Sequence, residues 1–276
     1  MTKPTTADGY TPAQLLQVRA TLLYLASILG DLVDDLVVVG GLVPSLLVAS
    51  PSPGEEAHVG SGDLDLGLEV ALLDSGRYHT LAERLRSSGF SPDTNEQAQT
   101  IRQRWRHPAT TATVDFLMPP IMQGQRAGSL QDLEVDLAAV VTPGLSLAFR
   151  DREAVRVEGR TLLNEALARD IPVCGPGAFV VLKALALRLR GENKDAYDIY
   201  YLLRHYGENV EAIAGRLRPL LDDVTARHAM GYLEEDFAQL DSIGPSRAAA
   251  FLGRSDDEGF RADAVGLVQR LLHVLQ

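Results

Sequence analysis

The chain has 276 residues, of which 46% are hydrophobic and 23% charged, enough for a real core and too little charge for a disordered polymer. A formal charge of −11 excludes a protein that coats nucleic acid indiscriminately, though an acidic body still has room for a local basic patch. The single cysteine, Cys174, excludes an internal disulfide framework; with no apolar leader and no bilayer-length apolar run (the most apolar being residues 36–49), it predicts a cytoplasmic protein that avoids membranes.

In chain order, Thr11-Pro12-Ala13-Gln14 supplies a cap, a proline at the first helical position and a capping partner. Leu15, Val18, Leu22, Leu25 and Ile28 then fall on one helical stripe. LVVVGG, residues 36–41, reads as a short buried strand stopped by Gly40-Gly41, and the following LVPSLLVAS tolerates Pro44 only in a helix's first turn. The glycine pair therefore marks a strand-to-helix junction. After an aperiodic loop over 50–62, residues 63–70 predict a strand, and a helix around 77–88 ends at Gly89. TIRQRWRHPATTATVDFLM alternates on both sides of His107-Pro108-Ala109, as a hairpin does. LSLAFRDREAVRVEG, residues 145–159, predicts another hairpin or paired strand. Beyond about residue 160 the strand signal fades, and 176–190, 194–205, 209–221, 223–239 and 259–275 carry helical spacing. The fold class predicted is α/β (α+β), with a mixed sheet in a domain over 1–160 and an all-helical domain over 161–276.

The chemistry concentrates in HVGSGDLDLGLE, residues 58–69. On a strand, residues two apart share a face, so Asp63 and Asp65 converge while Leu64 and Leu66 turn to the core. Two hard oxygen donors on a rigid strand suit Mg²⁺, which binds through one or two carboxylates and leaves places for phosphate; an acidic face turned to water explains the pair as well. Gly40 and Gly41 leave backbone N–H groups open to an anion, or simply make a tight turn, and Ser45 one turn on adds a hydroxyl or faces solvent. Asp115, in TVDFL, is a carboxylate among core residues and needs a partner or a metal. A two-residue loop at Pro108-Ala109 would set Arg102 opposite Asp115. Arg104 and Arg106 would continue a basic stripe that suits a nucleic-acid backbone or plain solvent. Lys183 lies in a nearly all-apolar helix, where a lone lysine usually snorkels, and Asp195 and Asp198 share one face of the next; a structural ion pair between the two helices accounts for all three, and such a pair could also aim the lysine at a phosphate.

The order Gly-Gly, S-G-D-L-D-L, V-D-F-L, a lysine helix and N-K-D-A-Y-D-I resembles the DNA-polymerase-beta-like nucleotidyltransferases, over about residues 36–205. Within that superfamily it resembles the AbiEii/MenT-type enzymes, known chiefly as toxins of toxin–antitoxin systems. The resemblance implies Mg²⁺ (with Mn²⁺ as a substitute) on Asp63, Asp65 and Asp115, and a nucleoside triphosphate across Gly40-Gly41. It also implies phosphate contacts from Ser61 and Lys183, a role for Asp198 as the acid of the last motif with Asp195 beside it, and a helical domain that completes the active site. Asp115 would help deprotonate a hydroxyl that attacks the α-phosphorus. The implied acceptor is RNA, often the 3′ end of tRNA, and the implied partner a cognate antitoxin. Leu42 and Val39 stand where relatives often carry Ser or Thr and Lys, and His58 where a basic residue is common. Two alternatives stay open: transfer to a small molecule, as in aminoglycoside-type enzymes, and a catalytically silent binding protein with the same fold.

Overall fold

The computed structural model describes residues 4–48, 56–69 and 75–276. Val70, expected to close the strand after Asp63, and part of the loop expected over 50–62 lie outside the described residues. The chain divides into two compact units: Pro12–Val43 with Gly60–Cys174, and Met1–Thr11 with Pro44–Val59 and Gly175–Gln276.

The first unit is built on a mixed sheet, nine-stranded among the described residues, with strand order β3-β4-β5-β2-β1-β9-β8 and β7 joining β5 and β6. Its centre is β1 (Leu36–Val39), antiparallel to β2 (Asp63–Leu68), which runs parallel to β5 (Thr113–Met118). β1 is buried at every position, as a run of Leu and Val in a central strand should be. In β2 and β5 the alternation holds instead: Leu64, Leu66, Val114 and Phe116 are buried, while Asp63, Asp65 and Asp115 are only partly covered. α1 (Pro12–Leu29) contributes Val18, Leu22, Leu23, Leu25 and Leu29 to the core. Pro12–Asp35, rather than 36–49, is the stretch among the described residues long and apolar enough to cross a bilayer, and half of its most apolar window is buried inside the fold. α3 (Ser75–Ser87) is followed by Gly89 with φ +88°, where the chain turns into β3 (Ser91–Thr94).

Three expectations need correction in this unit. The hairpin between β4 (Thr100–Arg106) and β5 turns through residues 107–112, not through Pro108-Ala109 alone, so Arg104 and not Arg102 lies opposite Asp115. The shift is two residues, which preserves the face. Residues 145–159 are not one hairpin: LSLAFR forms α4 (Leu145–Arg150), and the paired strand, the other expectation, holds only from Arg152, in β8 (Arg152–Arg160). The strand signal does not end near 160 either, because β8 pairs along its whole length with β9 (Ala166–Cys174). Pro172 is tolerated there because β9 meets its other neighbour, β1, only near its end, at Val38 opposite Val173. The two remaining strands are β6 (Leu130–Asp132) and β7 (Ala138–Val141).

In the second unit the helices α5 (Pro176–Arg190), α6 (Asn193–His205), α7 (Val210–Leu217), α8 (Val224–Asp236) and α10 (Glu258–Leu275) match the helical spacing in the sequence. α9 (Ile243–Phe251) was not expected, and it packs on α6 and α10. α5 ends at Gly191, φ +64°, and α6 folds back against it. α2 (Val43–Leu47) is a single short helix entered through a 3-10 turn over Gly40–Leu42, with Pro44 in its first turn.

Candidate active site

In the sheet unit, the parallel pairing of β2 and β5 sets Asp63 beside Thr113 and Asp65 beside Asp115. Register partners and residues two apart share a face, so all three carboxylates stand on one side of the sheet. The other side carries the buried Leu64, Leu66, Val114 and Phe116, and this division of faces is why the acids sit at alternate positions. Thr113 Oγ1 donates to Asp63 Oδ1 at 2.9 Å, and the Asp63 backbone N–H donates to Ser61 Oγ at 3.3 Å.

Gly40 fits this site by what it lacks. Its φ is +73°, and a Cβ there would overlap the Asp65 carboxylate, with Cγ of Asp65 only 2.7 Å away. The glycine opens space for Asp65 to lie against the β1 terminus; Gly41 beside it is buried.

What stands among the acids is Arg104. Its Nε and Nη2 donate to the two oxygens of Asp115 at 2.7 and 2.6 Å, a fork that uses both. That pairing raises the guanidinium's pKa above its ordinary value against the cost of partial burial, and the charges of Asp115, Asp63 and Asp65 add to it. The rest of the stripe is also engaged: Arg102 with Asp132 at 2.7 Å, and Arg106 with Asp93.

The oxygen donors of Asp63 and Asp65 suit Mg²⁺ held through two carboxylates. Among the described residues no group of three or more His, Cys, Asp and Glu side chains is spaced to hold a metal, and Asp115 has both oxygens on Arg104. By donor chemistry Asp63 and Asp65 could hold such an ion, while Asp115 is engaged by Arg104.

In the helical unit Lys183, Asp195 and Asp198 do meet, as the spacing predicted. Lys183 Nζ is 2.8 Å from Asp195 Oδ1 and 2.6 Å from Asp198 Oδ2, the latter a close ionic contact without hydrogen-bond alignment. Arg190 forks Asp195 at 2.8 Å on both oxygens, and Lys194 reaches Asp198 Oδ1 at 2.7 Å from one turn back on the same helix. His58 Nε2 lies 2.8 Å from Asp198 Oδ1, so it carries the hydrogen it donates there. Tyr197 stacks on its ring at 5.3 Å between centroids and Tyr201 meets its edge at 4.8 Å. Ser45 lies half-buried in α2, within a segment grouped with this unit.

Burial and charge contend at each of these groups. Burial works to raise the Asp198 pKa, but Lys183, Lys194 and the His58 hydrogen bond hold it well below the usual carboxylate range. Burial works to lower Lys183, and Asp195 and Asp198 together push it up instead. His58 is pushed down to about 4, first by burial and then by the Lys194 charge, against the pull of Asp198. Lys194 is lowered, chiefly by burial.

Lys194, Arg190 and Thr113 were missed as members of these clusters. Each had a signal: Lys194 its four-residue offset from Asp198, Arg190 its place on the Lys183 stripe, and Thr113 its place on the face of the arginine stripe. Residues 34–268 match the family model described as nucleotidyl transferase AbiEii toxin, type IV TA system. No match was found among curated proteins.

Proposed function

Because the chain belongs to the AbiEii nucleotidyl transferase toxin family of type IV toxin–antitoxin systems, we propose that it is a Mg²⁺-dependent enzyme that moves a nucleoside monophosphate from a triphosphate to a hydroxyl of RNA, the 3′ end of tRNA foremost. The observation that carries this reading is Asp65 in register with Asp115, with Asp63 on the same face. Three acids at one end of two adjacent parallel strands serve no packing purpose; the opposite face already supplies the core.

Asp63 and Asp65 would hold the divalent ion, which when bound neutralises phosphate charge and eases loss of the hydroxyl proton. Thr113 holds Asp63 and Gly40 makes room for Asp65, so the fold itself positions both carboxylates. Asp115 is assigned the proton of the attacking hydroxyl; the new bond forms from that oxygen to the α-phosphorus as the bond to pyrophosphate breaks in line. Ser61 is assigned a phosphate contact through its hydroxyl, and the Gly40-Gly41 backbone the triphosphate itself. For Lys183 a phosphate role rests on the resemblance alone; within the helical unit Asp195 and Asp198 hold its amine. A cytoplasmic site, where triphosphates and tRNA coexist, suits a chain whose one cysteine is buried and unbridged. A protein antitoxin is the partner the family supplies.

A second reading, transfer to a small molecule, is favoured by one observation: Arg102, Arg104 and Arg106 are each held by a carboxylate rather than offered to a nucleic-acid backbone. One experiment addresses both. The protein, Mg²⁺ and each α-labelled triphosphate are mixed with total RNA or with an RNA-free small-molecule extract. Label in RNA, lost in Asp65→Ala with folding intact, is the expected result. Label only in the small-molecule fraction selects the second reading, and transfer unchanged in Asp65→Ala overturns the carboxylate site.

A further inference from the structure

The acids on β2 and β5 raise a physical problem of charge. Three carboxylates on one face repel one another, and a sheet cannot move them apart. Among the described residues one positive charge beside them is the Arg104 guanidinium, which forks Asp115 from the neighbouring strand β4. The side chain is 29% exposed and its partner 14%, so the pair is partly shielded from water. The register makes the fork obligatory in outline: Arg104 is the cross-strand partner of Asp115, just as Asp65 is on the other side. Asp115 therefore stands between an arginine and an aspartate, with both oxygens given to the arginine.

We propose that Arg104 is a positioning residue that competes with the divalent cation for Asp115, withholding the third carboxylate until the triphosphate draws the guanidinium away. The inference rests on the nucleotidyltransferase reading given above and deepens it. A guanidinium fork matches a phosphate as well as it matches a carboxylate. Transfer of Arg104 to the incoming phosphates releases both Asp115 oxygens, one for a cation and one for the proton of the attacking hydroxyl. Metal bound early would meet two carboxylates, and metal bound with substrate would meet three.

The test measures binding, not turnover. Mn²⁺ affinity is read by electron paramagnetic resonance on the full chain without nucleotide, and triphosphate affinity is read separately in chelator. Arg104→Met should bind Mn²⁺ about tenfold more tightly, having lost the competing fork, and metal-free triphosphate about tenfold more weakly. Arg104→Lys keeps the charge but only one point of contact; it should bind Mn²⁺ a few-fold more tightly and serves if the Met variant fails to fold by circular dichroism. Mn²⁺ affinity unchanged or weaker in the folded variants overturns the competition, and unchanged triphosphate affinity overturns the transfer. Asp65→Asn separates this from the underlying reading: if it binds Mn²⁺ as the unaltered chain does, the metal site itself fails and takes the inference with it.

Discussion

His58 and Asp198 stand 140 positions apart in the chain and 2.8 Å apart in space, with neither side chain exposed. The histidine must be neutral there, since Lys194 already neutralises the carboxylate and burial penalises a further charge. Its pKa falls to about 4 from 6.5, so as the pH drops the unfolded chain takes the proton first. Stability from this group is complete above the unfolded value and is lost as the pH falls through the window from 6.5 toward 4. The total loss should be on the order of 3 kcal/mol. Urea unfolding at about pH 7.5 and about pH 5 should show a smaller drop in His58→Gln, which donates to Asp198 without titrating. Equal drops in the two proteins would remove His58 from this role.

Lys183 is shared by two buried acids, each with a second cation of its own: Arg190 for Asp195 and Lys194 for Asp198. Lys183→Met should therefore destabilise toward the lower end for a broken buried pair, about 3 kcal/mol. Adding Asp195→Leu should cost less than the two single changes summed, because the second removes a charge the first has left short of a partner. Denaturant unfolding of the four proteins checks this, and strict additivity would mean the pair is not coupled.

Gly40→Ala puts a methyl group onto the Asp65 carboxylate and an alanine at φ +73°. The backbone conformation alone costs about 1–2 kcal/mol. Displacing Asp65 should cost more in function than in stability, with Mn²⁺ affinity and label transfer each falling about tenfold or more. A variant destabilised by that amount yet binding Mn²⁺ normally would show that Gly40 serves the turn and not the acid.

Gly177 sits in the first turn of α5 where an added Cβ would lie 2.7 Å from Leu217 N and 2.8 Å from Leu217 Cα. Helix propensity favours alanine over glycine by about 1 kcal/mol, and overpacking costs about 1–3 kcal/mol. The contact is with backbone, which cannot rotate aside, so the clash should win. Thermal denaturation should show Gly177→Ala less stable than the unaltered chain; a rise in midpoint would mean α7 yields easily.

The elements that hold the candidate site were legible because their residues obey one period each. Asp63-Leu-Asp65 alternates, the all-apolar run of β1 ends on two glycines, and the lysine and acid helices show helical spacing over a dozen or more residues. What stayed hidden was long-range or ambiguous. LSLAFR is too short an apolar run to tell helix from strand. β9 buries few of its residues and contains Pro172, so its strand character comes from pairing with β8 rather than from its own pattern. α9 begins IGPSRAAA, where glycine, proline and small side chains blur the stripe that still packs Ala248 and Phe251 inward. The partner of Asp115 was misassigned because hairpin register depends on a loop whose length the sequence leaves open.

The backbone passes from one compact unit to the other at residues 11–12, 43–44, 59–60 and 174–175. No single scission can therefore release the helical part whole. A fragment cut at residue 175 would keep Asp198 but leave behind the strip that carries His58, along with Tyr10, whose ring lies 5.5 Å from the Lys194 amine. Any chimera that grafts these helices onto another scaffold has to graft three separate pieces of gene, so the two units are expected to be inherited, and lost, together.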